Sequence, residues 1–119
     1  MIGGIGTDIV EIFRIARLIE NTGFLQKHFT TAENEYFLLK NKNPQSVAAS
    51  FAAKEAFSKA LGTGIRGFSL KDVEILHDEL GKPYVNAYNG AGELLGDGKV
   101  FLSLSHSDEY ATAMVVIEK

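Results

Sequence analysis

The sequence predicts an α+β fold, on three observations. Apolar residues recur at helical spacing through the first half, most clearly in Ser50–Gly62. Short alternating patterns bounded by turn residues fill the second half. The 119 residues suit one core and no more, so the chain is expected to be one compact domain spanning 1–119.

Taken in order, Ile2 to Ile9 alternates glycine and polar residues with Ile5, Thr7 and Ile9, predicting a strand that delivers Asp8 near its end. A helix over Glu11–Asn21 follows, burying Ile12, Ile15, Ala16 and Ile19 and stopping at Thr22-Gly23. Thr30 and Glu33 form a capping-box signature for a helix running to about Lys40. Lys40-Asn41-Lys42-Asn43-Pro44 ends it, and a second long helix begins near Gln45–Val47. Val73–Leu76 and Pro83–Tyr88 predict a hairpin across Asp78–Lys82. Asn89–Lys99 is glycine-rich, a loop with one helical turn. Val100–Ser105 and Ala111–Glu118 predict a second hairpin turning through His106–Tyr110.

Composition narrows the classes. No apolar run approaches the roughly 20 residues of a spanning helix, so no membrane role is expected. Met1-Ile2-Gly3-Gly4-Ile5 lacks the features of a secretory signal, and there is no cysteine, which excludes disulfides, thiolate metal sites and cysteine nucleophiles. A cytoplasmic location is expected. The net charge of -3 argues against a general nucleic-acid binder.

The chemistry concentrates in Ser50–Gly62. One arc of that helix carries Ala49, Ala52, Ala53, Ala56, Phe57, Ala60 and Leu61 and is expected to pack inward. The opposite arc carries Phe51, Lys54, Glu55, Ser58 and Lys59, and an aromatic among polar groups points to a face that meets something. Glu55 and Lys59, four apart, also suit an ordinary surface pair worth about 0.3–0.5 kcal/mol. Glu55 and Asp8, carboxylates from separate elements, would make a hard-oxygen site suited to Mg²⁺ and phosphate oxygens. Glu11 adds a third oxygen or serves the helix dipole. Lys54, Ser58 and Lys59 add the positive charge and donors that a diphosphate needs.

Gly62-Thr63-Gly64-Ile65-Arg66-Gly67 matches G-x-G-x-x-G but closes a helix instead of opening one, which rules out the dinucleotide fingerprint. Gly62 reads as a helix stop, and the glycines after it as a turn open to close approach by a ligand. Of the histidines, His28 and His77 read as structural, and His106 lies at a hairpin turn among Ser105, Ser107 and Asp108. Those neighbours are too close in sequence for a hydrolase triad.

Gly4-Ile5-Gly6-Thr7-Asp8-Ile9-Val10-Glu11, Phe51 to Gly64 and Ser103-Leu104-Ser105-His106-Ser107, with Gly81-Lys82-Pro83 between, occur in the order and spacing of one family. The chain resembles the holo-[acyl-carrier-protein] synthases, the short bacterial class of 4'-phosphopantetheinyl transferases. That resemblance implies the family's fold, with its site at a subunit interface. It implies Mg²⁺-dependent transfer of the phosphopantetheine arm of coenzyme A to a serine of apo acyl carrier protein, in support of fatty acid biosynthesis, with release of adenosine 3',5'-bisphosphate.

Carried over by position, Asp8 and Glu55 match the metal ligands, and Lys59 the lysine that stabilises the departing phosphate. Lys54, Ser58, Lys59, Gly62, Thr63, Gly64, Pro83 and His106 match the coenzyme A site, some of them supplied by a neighbouring subunit. Arg14 and Arg17, three apart on the first helix, match the basic surface that receives the carrier protein. The short members are homotrimers.

One position departs from the pattern: Ser50 stands where relatives often carry an arginine available to a coenzyme A phosphate, leaving Arg66 or Lys42 as substitutes. Two other readings share these residues. A metal-dependent diphosphate or nucleotide hydrolase would use water in place of the carrier serine. A non-catalytic adapter would bind carrier protein through Arg14 and Arg17 alone.

Overall fold

The computed structural model describes residues 1–119. Strand β1 spans Ile2–Glu11, longer than the sequence pattern suggests, so Ile9, Val10 and Glu11 continue the strand beyond Asp8. Helix α1 is correspondingly short, Ile12–Ile19, with Glu11 as its N-cap residue. A short helix, α2 (Phe24–His28), follows a turn in which Gly23 takes a φ of 96°; no periodic signal marks so brief an element.

Helix α3 (Thr31–Leu39) opens on the expected capping box. The Thr30 hydroxyl oxygen accepts from the Glu33 amide at 3.2 Å, and Glu33 Oε1 accepts from the Thr30 amide at 2.8 Å. Helix α4 (Pro44–Ala60) begins with proline in its first turn and the Asn43 side chain capping the Gln45 amide at 2.8 Å. After a 3₁₀ turn at Leu70–Asp72 come β2 (Val73–His77) and β3 (Pro83–Ala87), paired antiparallel. The glycine-rich stretch forms a seven-residue helix, α5 (Asn89–Leu95), before the closing hairpin β4 (Lys99–His106) and β5 (Tyr110–Glu118).

The main sheet has the order β1-β5-β4, all antiparallel, and α4 crosses its inner face. Residues directly opposite in such a sheet project from the same face. The inner face therefore carries Gly4, Gly6, Asp8 and Val10 of β1 opposite Ile117, Val115, Ala113 and Ala111 of β5. Helix α1, β2 and β4 also contact α4, which leaves it buried on nearly every side. This corrects the two-sided picture of that helix. Lys54 and Ser58 are buried with the alanines, Phe51 and Glu55 are partly covered, and Lys59 alone of the expected polar arc is exposed.

The approach of β1 to α4 requires glycine. A Cβ on Gly4 would fall 1.9 Å from the Ala60 carbonyl oxygen, and one on Gly6 would fall 2.0 Å from that of Ala56. Backbone meets backbone there, so no side chain is free to yield. Gly6→Ala is expected to destabilise the fold by about 1–3 kcal/mol or more. Urea unfolding at constant pH measures it.

Candidate functional site

Because side chains alternate along a strand, Asp8 follows Gly4 and Gly6 onto the face turned toward α4. It meets that helix beside Glu55 and Lys59, which stand one turn apart. Lys59 Nζ lies 3.2 Å from Asp8 Oδ1 and donates to the Thr7 carbonyl at 3.0 Å. Burial pushes the Glu55 carboxyl above its ordinary value of 4.5; the charge of Asp8 adds to the rise, and Lys59 and Arg14 oppose it. Four charged groups from β1, α1 and α4 thus share one electrostatic cluster.

Two partly buried carboxylates, one of them destabilised by the other, form a site that gains from a cation. Their oxygens are the hard donors Mg²⁺ takes, and two ligands leave positions for water and phosphate oxygens. The residues fit the ion. No cluster of three or more histidine, aspartate or glutamate side chains is assembled, so Glu11 does not complete a three-carboxylate set with Asp8 and Glu55.

Lys54 is a correction. Although adjacent to Glu55, it points into the core, and its side chain and that of Glu33 are both 0% exposed. Nζ donates to Glu33 Oε1 at 2.8 Å, to the Leu70 carbonyl at 2.8 Å and to the Val73 carbonyl at 2.6 Å. An ammonium has three N–H donors, and here all three are used, so Lys54 has none for coenzyme A. Glu33 Oε2 in turn accepts from the Ile75 amide at 2.9 Å. Burial pushes Glu33 up and Lys54 down, and their mutual attraction opposes both shifts.

Ser58 is a second correction: it is buried, and its hydroxyl donates back to the Glu55 carbonyl at 2.6 Å. Neither residue shows this in its spacing, because both fall on an arc that other elements cover.

Gly62 and Gly64 take φ values of 81° and 63°, conformations that favour glycine, and the Gly62 amide donates to the Lys59 carbonyl at 2.9 Å. The Thr63 hydroxyl donates to the Gly64 carbonyl at 2.8 Å. The turn closes α4 directly beyond Lys59, as the sequence suggests.

Pro83 and His106 lie elsewhere, in a cleft of about 440 Å³ shared with Tyr36, Gln45, His77 and Lys82. Asp8, Glu55 and Lys59 do not line it. Tyr36 and His77 stack flat at 4.2 Å and 8°, and burial, with Lys40 nearby, pushes His77 below its ordinary value. His77 reads as structural from sequence; its place on the cleft wall comes from how the β2–β3 hairpin packs against distant elements, and no local pattern encodes that packing. Of the cations considered in place of an arginine at Ser50, neither Arg66 nor Lys42 lines the cleft, whereas Lys82 does. Ser50 itself is buried.

Arg14 and Arg17 border a hollow of about 560 Å³ on α1 together with Phe13. Phe13 is 70% exposed, with the Arg17 guanidinium 5.9 Å from its ring centroid. It lies off the buried stripe of Ile12 and Ile15, the one sequence signal that marks it.

The sequence model of the 4'-phosphopantetheinyl transferase superfamily matches residues 4–115. A holo-[acyl-carrier-protein] synthase of Clostridium perfringens is 52% identical over 126 residues, covering 99% of this chain and 95% of its own length. The chain belongs to the holo-[acyl-carrier-protein] synthases, a 4'-phosphopantetheinyl transferase family. The synthase from Neisseria meningitidis superposes with a TM-score of 0.91 at 42% identity, each chain fully covered. A synthase from Bacillus anthracis, crystallised in complex with CoA (3',5'-ADP), superposes with a TM-score of 0.85 at 39% identity, covering 100% of this chain and 98% of its own. The α+β fold expected from the sequence is thus the synthase fold, and no helix in it is long and apolar enough to cross a membrane.

Removing one member of a buried ion pair leaves the other charge uncompensated. Lys54→Met should therefore cost about 3–5 kcal/mol, and the double variant Glu33→Gln/Lys54→Met should recover much of it. Comparison of denaturant midpoints for the three proteins checks both expectations.

Proposed function

We propose that the chain transfers the 4'-phosphopantetheine arm of coenzyme A to a serine hydroxyl of apo acyl carrier protein and releases adenosine 3',5'-bisphosphate. One observation carries the proposal: in a member of the synthase family, Asp8 and Glu55 converge from β1 and α4 with Lys59 one helical turn on. The serine oxygen attacks the phosphorus nearer the pantetheine, the bond from that phosphorus to the bridging oxygen breaks, and the serine proton is lost. Asp8 and Glu55 would hold Mg²⁺, which when bound supplies positive charge to the diphosphate. Lys59 is long and exposed enough to follow the charge that builds on the departing phosphate. The turn at Gly62–Gly64 offers unobstructed backbone beside it, since a Cβ at either glycine would meet nothing within 4 Å.

Arg14 and Arg17 would present positive charge to an acidic carrier surface, and the pull of the Arg14 charge on Glu55 supports a docking surface close to the carboxylates. The reaction is checked by the mass gained by apo carrier protein incubated with coenzyme A and Mg²⁺, with and without chelator. Asp8→Asn and Glu55→Gln should each lower turnover by about 10²-fold or more. Arg14→Glu should raise KM for the carrier about tenfold with little change in KM for coenzyme A. Adenosine bisphosphate released at full rate without carrier would favour hydrolysis instead.

The proposed assembly is a homotrimer. Support comes from the outer face of the main sheet, where the register sets Ile5, Val116 and Phe101 in one row and Thr7, Met114 and Ser103 in the next. Ile5, Ile9, Phe101 and Met114 are all exposed there, an apolar patch of the kind that marks an interface. Packing copies through this face would let the Pro83–His106 cleft of one subunit serve the carboxylates of the next. Met114→Glu should then lower the subunit number in sedimentation and reduce turnover together, although Met114 touches none of the reacting groups.

A further inference from the structure

The ion pair between Lys59 and Asp8 sets two roles against each other, given the reading of Asp8 as a metal ligand on which this inference rests. Lys59 Nζ reaches from α4 to β1, 3.2 Å from Asp8 Oδ1 and 3.0 Å from the Thr7 carbonyl oxygen. Its ammonium thus already neutralises the carboxylate that a divalent cation would use, and two cations drawn to the same carboxylate repel each other. The pair is also asymmetric: the Lys59 side chain is 53% exposed and that of Asp8 16%. The carboxylate is fixed by its strand, whereas the ammonium rides on a flexible four-carbon stem and is free to swing. Glu55 lacks a hydrogen-bonded cation of its own and feels Lys59 and Arg14 only through space.

We infer that Lys59 is an internal counterion that competes with the divalent cation for Asp8 in the ligand-free protein and moves to the diphosphate when coenzyme A binds. Coenzyme A therefore clears Asp8 for the metal, and each ligand tightens the binding of the other by the same factor. The pantetheine donor and the metal enter as a cooperative pair, a property of this lysine beyond its service to the leaving phosphate.

Mn²⁺ is a paramagnetic probe for a carboxylate site, and free Mn²⁺ is counted by electron paramagnetic resonance. Titrations are made on the whole protein without carrier, with and without coenzyme A, corrected for Mn²⁺ held by coenzyme A in protein-free solution. Without coenzyme A, Lys59→Gln should bind Mn²⁺ about two- to fivefold more tightly than the unsubstituted protein, and Lys59→Arg should resemble the latter. Coenzyme A should tighten Mn²⁺ binding by a larger factor in the unsubstituted protein than in Lys59→Gln. Equal Mn²⁺ affinity of the two proteins without coenzyme A, or an equal enhancement by it, overturns the inference. Asp8→Asn separates the two levels: if it leaves Mn²⁺ binding with coenzyme A unchanged, the metal reading itself fails and the inference falls with it.

Discussion

The contact between β1 and α4 is made by two bare backbones, with Gly4 and Gly6 facing the carbonyl oxygens of Ala60 and Ala56. Side-chain packing usually keeps a helix and a sheet well apart, with side chains filling the gap. Here the gap is closed, and the next residue on the same strand face is Asp8. Its short side chain therefore reaches the cluster around Glu55 and Lys59 on the flank of α4. A wider separation would leave a carboxylate with one methylene group unable to do so. The small residues along α4, Ala52, Ala53, Ala56 and Ala60, are the other half of this fit, and all are buried.

Closeness has an electrostatic consequence. Burial and the charge of Asp8 both work against ionisation of Glu55, and Lys59 and Arg14 pull the other way. The protein concentrates negative charge at one flank of α4 and surrounds it with mobile or surface cations instead of sealing it with a buried partner. Lys54, one residue away, shows the contrast. It is sealed, with every donor satisfied inside the core, and so it is structural where Lys59 is responsive.

Much of this was legible in the sequence. Both hairpins, the capping box at Thr30 and Glu33, the helix stop at Gly62 and the α+β class follow from local chemistry, and local chemistry is what a sequence displays. The pairing of Asp8 with Glu55 is suggested by two carboxylates in unusual settings and specified by the family motifs; periodicity alone leaves it open. Strand β1 shows why: Ile5 and Ile9 face outward while Gly4 and Gly6 face inward, the reverse of the usual rule that the apolar face is the buried one. The depth of Lys54 and Ser58 was hidden for a related reason. A helical wheel separates polar from apolar positions, but α4 is enclosed by five other elements, and enclosure is a property of the whole fold. The cleft wall of Tyr36 and His77 likewise joins residues far apart in the chain, with no spacing to announce it.

The buried lysine also fixes an angle. Successive residues on a helix point about 100° apart, so the direction of Lys54 determines that of Glu55. Lys54 is held by a carboxylate on α3 and by the carbonyls of Leu70 and of Val73, the first residue of β2, three acceptors that converge on one point in space. Rotation of α4 about its axis would break all three bonds together. The core thereby sets the rotational register of the helix, and Glu55 faces Asp8 because its neighbour cannot turn.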